Sequence, residues 1–283
     1  MLFGDNINGY PKEIVCVLFG VNEVQFGHFI SILSVLRNHK PEKVMIHCDC
    51  NQLIGEYYER VLKISQKTKT QVIVRNIVKP LEIFGQQLSE ESLNWHSADI
   101  MRIKVLQEFG GIYLDRDTYV VKSLDTFRKY EMTLEWYKER DVLAIHVLIA
   151  RRNARYLKLW LESYRLYDSK QWFFNAGFLP KGCILDKRPE LIHRINSEFG
   201  GYGPHVCPKI YQMYYKNWIE DYYAIHLVIR NKDISIKEWC FGDNVKTYPS
   251  VMSFDEKIIR DLNSTFGEMA RMVFDFERDL INK

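Results

Sequence analysis

The sequence predicts an α/β fold: a mixed, mainly parallel sheet flanked by helices, followed by a C-terminal helical extension. Two observations lead to this prediction. In the first hundred residues, short apolar runs alternate with patterns of helical spacing, an order typical of parallel sheets covered by helices. Near the C-terminus, apolar residues recur at alternating spacings of four and three, which indicates an amphipathic helix.

The N-terminal part supplies the first elements of the sheet. Its strands are short runs rich in apolar and β-branched residues, and its helices carry apolar residues on one face. Strands are predicted at 13–19, 43–48 and 71–75, and helices at 24–37 and 53–65. Sheets of this kind bind ligands at the carboxyl ends of their strands, so functional loops are expected just after Phe19, Cys48 and Arg75.

The central part continues the alternation of helices and strands. A helix is predicted at 95–109, strands at 112–114 and 142–150, and a further helix at 154–167. Gly110 and Gly111 are expected to end the first of these helices, because glycine adopts the left-handed conformation at low cost. Residues 168–250 are rich in aromatic residues and interrupted by glycine and proline. We expect them to form loops over the carboxyl edge of the sheet.

The stretch 251–283 is predicted to form an amphipathic helix outside a first domain of residues 1–250. Ser253 and Glu256 have the spacing of a capping box. The apolar seam of this helix needs a partner surface, which can be the chain's own domain, the same helix in a homodimer, or a membrane surface. We favour the chain's own domain, because Gly267 weakens a free-standing helix by about 1 kcal/mol. The seam comprises Leu262, Phe266, Met269, Val273, Phe276 and Leu280.

Composition and charge exclude several classes of protein. A net charge of +3, from 39 basic and 36 acidic residues that are interspersed, gives no basic surface of the kind that nucleic acids require. No apolar run reaches the length of a membrane span, and the N-terminus lacks a signal-peptide pattern. Six scattered cysteines are too sparse for a disulfide framework. We therefore expect a cytoplasmic or membrane-peripheral protein, or a Golgi-lumen protein if an N-terminal anchor was removed.

Residues 110–117, GGIYLDRD, carry the strongest chemical signal. A glycine pair precedes an apolar strand that ends in two carboxylates, Asp115 and Asp117. Two acids this close repel each other, and burying them without compensation is unfavourable. A hard divalent cation such as Mn²⁺ or Mg²⁺ takes carboxylate ligands and fills its other positions with phosphate and water. The sequence therefore predicts a metal site at the end of this strand.

Residues 96–127 resemble the sugar-transferase family that contains a D-x-D sugar-binding region. The similarity rests on Asp99 and Arg102, a stretch of helix, and then the pattern G-G-x-Y-x-D-x-D. It implies a GT-A-like (Rossmann-like) fold and a metal-dependent hexosyltransferase that retains the anomeric configuration. The implied donor is a nucleotide-sugar, with a UDP-sugar favoured over GDP-mannose. The implied acceptor is a hydroxyl group of a glycan, a glycolipid or a protein.

The resemblance also implies roles for residues of the motif. Asp115 would reach the ribose of the donor or a metal-bound water, and Asp117 would ligate the metal directly. Asp99 and Arg102 lie one helical turn apart and would hydrogen-bond the hydroxyls of the donor sugar. Without the resemblance, these two residues would be interpreted as an ordinary salt bridge. Tyr113 would line the nucleotide site.

Residues outside the motif are predicted to complete the site. Phe19 and Gly20 occupy the loop that would face the nucleotide base, and an interior position is the alternative for Phe19. His226 is the candidate for a third contact with the metal or the diphosphate, and a core histidine is the alternative there.

One departure from the family pattern concerns the wall that would face the donor sugar. Relatives often have Asn-Gly before the strand that ends at Ala150, and Ile145 and His146 stand there in this chain. His146 is one substitute for the missing polar group, and a changed acceptor preference is the other explanation. Asn175 is a second candidate for a polar group, with a turn-holding role as its alternative.

The sequence also suggests a reaction course and leaves alternatives open. No pair of carboxylates is recognisable as a nucleophile and an acid, so a front-face displacement fits best. A non-catalytic nucleotide-sugar-binding protein and a nucleotide-sugar hydrolase are the alternatives. A dehydrogenase is excluded, because no G-x-G-x-x-G follows the first strand.

Overall fold

The computed structural model of the chain describes residues 13–228 and 255–282. The strands are β1 (Glu13–Leu18), β2 (Lys43–Cys48), β3 (Gln71–Asn76), β4 (Glu82–Ile83), β5 (Gln86–Gln87), β6 (Gly111–Leu114), β7 (Thr118–Val120), β8 (Met132–Tyr137), β9 (Val142–Ala150), β10 (His193–Ile195) and β11 (Ala224–His226). The helices are α1 (Phe26–Ser34), α2 (Glu56–Thr68), α3 (Leu93–Phe109), α4 (Arg155–Ser163), α5 (Gly203–Cys207), α6 (Trp218–Asp221), α7 (Glu256–Asp261) and α8 (Thr265–Ile281). A π-helical segment, Val35–His39, continues α1.

The centre of the fold is a mixed sheet of seven strands in the order β10-β8-β9-β6-β1-β2-β3. The pairs β1–β2, β2–β3, β1–β6 and β8–β10 are parallel. Strand β9 runs antiparallel between β6 and β8. The predicted mixed, mainly parallel sheet is therefore confirmed. Strands β8 and β10 have no counterpart in the prediction.

Helices cover both faces of the sheet and create two hydrophobic cores. Successive side chains of a strand point to opposite faces, so Ile14 of β1 belongs to one core and Val15 to the other. The first core also contains residues of α1, α2 and α8, and the second contains residues of α3 and α4. This layering leaves the carboxyl ends of β1, β2 and β6 together at one edge, where parallel sheets bind ligands.

Helix α3 ends at the glycine pair, as predicted. The N–H of Gly110 donates to the carbonyl of Leu106 at 2.9 Å. Gly110 has a φ of +70°, and a Cβ atom there would lie 2.7 Å from the backbone nitrogen of Arg152. Glycine is therefore needed for the chain to turn from α3 into β6, because a side chain would be strained and would meet the backbone of Arg152.

The C-terminal stretch differs from the single helix that the sequence predicts. Asp255 caps α7 by accepting a backbone N–H at 2.8 Å, and Ser264 caps α8 by accepting the N–H of Gly267 at 3.2 Å. Leu262 lies between the two helices, and a Cβ atom at Gly267 would lie 2.1 Å from its carbonyl oxygen. Glycine at position 267 therefore allows the chain to break into two helices, α7 and α8, at Leu262. The predicted cap Ser253 lies outside the described residues.

Helix α8 packs on other helices of the same chain. Phe266, Met269 and Val273 of the predicted seam are fully buried in the core that contains α1 and α2. Arg60 of α2 donates from Nε to a carboxylate oxygen of Glu277 at 2.7 Å. The division of the chain at residue 250 and a dimer through this helix stay predictions.

The cysteines correct one expectation. Cys48 and Cys50 form a disulfide at the end of β2, and Cys207 is also disulfide-bonded. The described residues therefore contain disulfide bonds, although the sparse cysteines led us to expect no disulfide framework. A count of cysteines over the chain length does not report which thiols the fold brings within bonding distance. Among the described residues, no helix is long and apolar enough to cross a bilayer.

Candidate active site

A cavity of about 680 Å³ opens at the carboxyl edge of the sheet. It lies at the ends of β1 and β6 and beside β9, α3 and the loops after α4. Most of the predicted site residues line it: Phe19, Asp99, Arg102, Tyr113, Asp115, Asp117 and His226. Two predicted residues do not. Gly20 faces a neighbouring groove, and Asn175 lies away from the cavity lining.

Asp115, Asp117 and His226 form an acidic trio at one end of the cavity. Each offers one ligand atom, and these atoms lie within 4.8 Å of one another. His226 Nε2 lies 3.3 Å from Asp117 Oδ1 and 3.9 Å from Asp115 Oδ2. Strand β11 brings His226 there by pairing antiparallel with β7, which places His226 opposite Thr118. Carboxylates suit Mn²⁺ and Mg²⁺, and imidazole suits transition metals, so the trio can hold a divalent metal.

The carboxylate of Asp115 is fixed by its neighbours. The Tyr113 hydroxyl donates to Oδ1 at 2.8 Å, and Arg102 Nη1 lies 3.3 Å from the same oxygen. The backbone N–H of Asp115 donates to the carbonyl of His146 at 2.8 Å. Asp115 is therefore oriented before any ligand binds.

Arg102 connects the helix α3 to the D-x-D segment. Its guanidinium pairs with Asp99 at 2.9 Å, donates to the carbonyl of Ile145 at 2.8 Å, and lies over the ring of Tyr113 at 4.7 Å. Burial raises the pKa of Asp99 to about 7, although the charge of Arg102 opposes this shift. The salt bridge expected from sequence spacing is present, and both of its partners line the cavity.

The loop after β1 forms a polar junction that the sequence analysis did not identify. The N–H of Gly20 donates to Asp49 Oδ1 at 2.9 Å, and Lys79 Nζ lies 2.8 Å from Asp49 Oδ2. Phe19 is 6% exposed and lines the main cavity. Asp49 belongs to a groove lined by Gly20–Asn22 and Asp49–Gln52. The position of Asp49 directly after β2 is the sequence signal that could have identified this residue.

Asn175 does not supply a polar group to the cavity. It is 1% exposed, and its amide bonds the backbone of Asp168, accepting from the N–H at 2.8 Å and donating to the carbonyl at 2.7 Å. Because both ends of the amide are used in this way, the structure places Asn175 in the turn-holding role.

His146, one of the two residues that depart from the Asn-Gly pattern of the family, lies beneath His226. The two rings stack with centroids 4.8 Å apart and planes 9° from parallel. His146 Nε2 lies 2.8 Å from the carbonyl oxygen of Phe199, so this nitrogen carries the proton and donates. Burial lowers the pKa of His146 to about 3, which keeps the ring neutral. His146 therefore supports the orientation of His226.

Aromatic side chains at the other end of the cavity were also missed by the sequence analysis. Trp95, Trp172 and Phe178 line the cavity and are exposed, and the partly buried Tyr202 lines it too. The aromatic character of residues 168–250 and the loops expected there were the available signals, but they did not single out these rings.

Comparison with known proteins confirms the family resemblance. Residues 34–134 match the family described as "Glycosyltransferase sugar-binding region containing DXD motif". This part of the chain is therefore similar to the sugar-binding region of DXD glycosyltransferases.

Two curated relatives and one solved structure illustrate the similarity. "Glucan organizing enzyme 1" of Cryptococcus neoformans is 28% identical over 56% of this chain, which spans 43% of that protein. "Lipopolysaccharide 1,2-glucosyltransferase" of Escherichia coli is 24% identical over 66% of this chain and 66% of its own length. The galactosyltransferase LgtC, solved with donor and acceptor sugar analogs, has a TM-score of 0.43 and 13% identity over 93% of this chain and 95% of that one. The chain thus spans less than half of the fungal relative.

Proposed function

We propose that this chain is a metal-dependent, retaining glycosyltransferase that moves a hexose from a nucleotide-sugar to a hydroxyl acceptor. The observation that carries the proposal is the acidic trio of Asp115, Asp117 and His226 in a cavity that Arg102 also lines. A UDP-sugar is the favoured donor and GDP-mannose the second candidate. The names of the two relatives support a glucosyl or related hexosyl transfer.

The trio fits the metal that the proposal requires. Its two carboxylates accept only and suit Mn²⁺ or Mg²⁺, and a ring nitrogen of His226 would be the third ligand. A bound metal ion would neutralise the negative charge that develops on the leaving diphosphate.

Arg102 has the donor geometry for a role beside the sugar. Its Nε is buried and has no hydrogen-bond partner within 13–228 and 255–282. An unsatisfied buried donor costs about 1–3 kcal/mol, so a hydroxyl oxygen of the donor sugar would be a favourable partner. Because Arg102 holds both Asp99 and Asp115, neither acid is presented as a free nucleophile. We therefore propose a front-face transfer in which the leaving phosphate oxygen takes the proton of the acceptor hydroxyl.

The disulfides bear on the proposed compartment. Disulfides persist in oxidising compartments and are rare in the cytosol. The Cys48–Cys50 bond and the disulfide at Cys207 therefore support a location such as the Golgi lumen over the cytoplasm.

A donor screen tests the proposed function directly. UDP- and GDP-sugars are added with Mn²⁺, and thermal unfolding is measured, because a ligand at a hundred times its Kd adds about 2.7 kcal/mol of stability. Release of nucleoside diphosphate and sugar transfer are then measured with and without EDTA. We expect activity to disappear in EDTA and to return with Mn²⁺.

Asp117→Asn should lower transfer by more than about 100-fold, since even residues that only support metal ligands contribute 10–100-fold. Asp279→Asn, at a side chain that is 63% exposed, is the matched control and should be active. Full activity in EDTA or in Asp117→Asn would contradict the site. Binding of the nucleotide-sugar without any turnover would favour a binding protein, and turnover to free sugar with every acceptor tried would favour a hydrolase.

A further inference from the structure

Three large aromatic side chains line the cavity and are also exposed to solvent. Trp95 is 51% exposed, Trp172 is 39% exposed and Phe178 is 52% exposed. Burying a large apolar side chain is worth about 1.5–3 kcal/mol, so leaving such rings in water is unfavourable for folding alone. Exposed aromatic residues that line a concave surface are typical of ligand sites.

Two of these rings belong to residues 172–178, which we call the aromatic platform. The ring of Phe173 connects them, with its centroid 5.8 Å from Trp172 and 5.6 Å from Phe178. A Cβ atom at Gly177 would lie 2.0 Å from the Phe173 ring. The absence of a side chain at Gly177 therefore allows Phe173 to pack between the two exposed rings.

Buried hydrogen bonds hold the platform in place. His96 of α3 is 1% exposed, and its Nε2 lies 3.2 Å from the carbonyl oxygen of Trp172. The other ring nitrogen of His96 lies 2.7 Å from the Tyr167 hydroxyl. Asn175, inside the platform, bonds the backbone of Asp168. A surface that is ordered before binding loses less entropy when a ligand binds.

Polar groups lie in the same cavity as the platform. Glu90 and Glu91 line it and are exposed, whereas Asn94, which also lines it, accepts from Lys79 and lies beside Gly20. A pyranose ring has an apolar face of C–H groups and an edge of hydroxyls. The C–H groups are attracted to the negative face of an aromatic ring, and carboxylate and amide oxygens accept hydrogen bonds from hydroxyls. The combination matches a saccharide better than a purely apolar ligand.

The order of the strands separates the platform from the nucleotide loop. Strand β6, which ends at the acidic trio, lies between β1 and β9. Phe19 and the Asp49 junction follow β1 and β2, on one side of β6. The platform packs on β9, on the other side. If the diphosphate of the donor binds at the acidic trio and its base binds at Phe19, the platform side of the cavity stays open for the second substrate.

We infer that the aromatic platform is an acceptor subsite that stacks on the face of a pyranose ring, so that the acceptor is a saccharide and not a protein side chain. The inference rests on the proposed function, because an acceptor is needed only if the chain transfers a sugar. It assigns Trp172 and Phe178 as direct contacts of the acceptor and Phe173 as their support.

The test separates acceptor binding from donor binding. Transfer is measured from the donor found in the screen to maltotriose, lactose and mannobiose, and to a Ser/Thr peptide. Trp172→Ala and Phe178→Ala should each raise the KM for the saccharide about 2- to 10-fold, as expected for one aromatic contact. Neither variant should change the release of nucleoside diphosphate in the absence of acceptor, or the thermal stabilisation by nucleotide and Mn²⁺. Trp172→Tyr should restore most of the saccharide affinity.

Phe84→Ala is the matched control, because Phe84 is an aromatic residue with the same 39% exposure that does not line the cavity. An unchanged saccharide KM in both platform variants overturns the inference, as does transfer by the wild type to the peptide and to no saccharide. A loss of nucleotide stabilisation in Trp172→Ala also overturns it, because the ring would then contact the base. If the wild type uses no donor, the proposed function fails. The saccharide site can still be tested in that case: saccharides should quench the tryptophan fluorescence of the wild type, and Trp172→Tyr should lose this quenching.

Discussion

The two ends of the cavity are built in different ways. At the acidic end, two of the three predicted ligands have fixed neighbours: Asp115 is held by Tyr113 and Arg102, and His226 stacks on His146. At the aromatic end, His96 contacts the backbone carbonyl of Trp172, and the rings of Trp172 and Phe178 remain partly exposed. The acidic end therefore holds its charged groups in fixed positions, while the aromatic end presents exposed rings.

The cavity also depends on parts of the chain that are distant in sequence. The acidic end is supported by α8, since the Tyr119 hydroxyl of β7 donates to the carbonyl of Met269 at 3.1 Å. The ring of Phe266 packs on Tyr211, whose hydroxyl donates to the carbonyl of Leu227 next to His226. The cavity wall also contains Gly201, which lies next to His146, and the N–H of Gly201 donates to the buried carboxyl group of Glu135. Disturbing each support in turn tests how far the cavity depends on it.

Deletion of residues 255–283 should have the largest effect. It removes the fully buried side chains of Phe266, Met269 and Val273, and each loss of this kind costs about 2–5 kcal/mol. Because typical domains are stable by only about 5–15 kcal/mol, we expect an insoluble protein or one without a cooperative thermal transition. Solubility, circular dichroism and size-exclusion chromatography provide the measurement. A deletion that stays folded and active but changes from a dimer to a monomer would assign α8 to an interface instead.

Arg102→Ala should have the next largest effect, and it should affect the acidic end. The side chain of Arg102 is 7% exposed, and its loss leaves the buried Asp99 and the partly buried Asp115 without their partner. Breaking a buried ion pair in this way costs about 3–5 kcal/mol. Urea denaturation measures the change, and Arg165→Ala is the control.

The side chain of Arg165 is 62% exposed, so its ion pair with Glu162 should contribute about 0–1 kcal/mol. A role for Arg102 limited to the donor sugar predicts another result: unchanged stability, unchanged nucleotide binding and lower turnover. That result would show that the acidic end does not depend on the bridge between Asp99 and Asp115.

Glu135→Gln should have the smallest effect, and it concerns the wall that contains Gly201. Burial raises the pKa of Glu135 from 4.5 to about 8. The folded state therefore binds this proton more tightly than the unfolded state, so the contribution to stability is complete below pH 4.5 and is lost as the pH rises through 8. Between pH 6 and pH 8 the loss should be about 2 kcal/mol. Glu135→Gln should remove this dependence in urea denaturation, since an amide has no proton to lose in this range.

The control for this experiment is Glu162→Gln, at an exposed carboxylate whose side chain is 51% exposed. It should keep the wild-type dependence on pH. If Glu135→Gln and the wild type lose stability equally between pH 6 and pH 8, Glu135 is ionised in the folded protein and the wall at Gly201 is held by a charge.

The sequence by itself determined the features that depend on residues close together in the chain. Period-two and helical patterns identify the strands and helices, because burial on one face requires apolar residues at those spacings. The glycine pair, the strand after it and the acids Asp115 and Asp117 are contiguous, so the end of β6 could be identified as a candidate metal site. Asp99 and Arg102 share one helical turn, so their pairing could also be expected.

Only the tertiary structure decided the features that join distant parts of the chain. His226 reaches Asp117 through the pairing of β11 with β7, and His146 lies under His226 because β9 runs beside β6. The amide of Asn175 holds a turn, and the rings of the platform line the cavity. Both features belong to loops that have no periodic sequence pattern. Local spacing specifies which face of an element is buried, but contacts across a hundred residues depend on how the faces pack. That packing is a property of the whole fold, so no short segment of the sequence contains it.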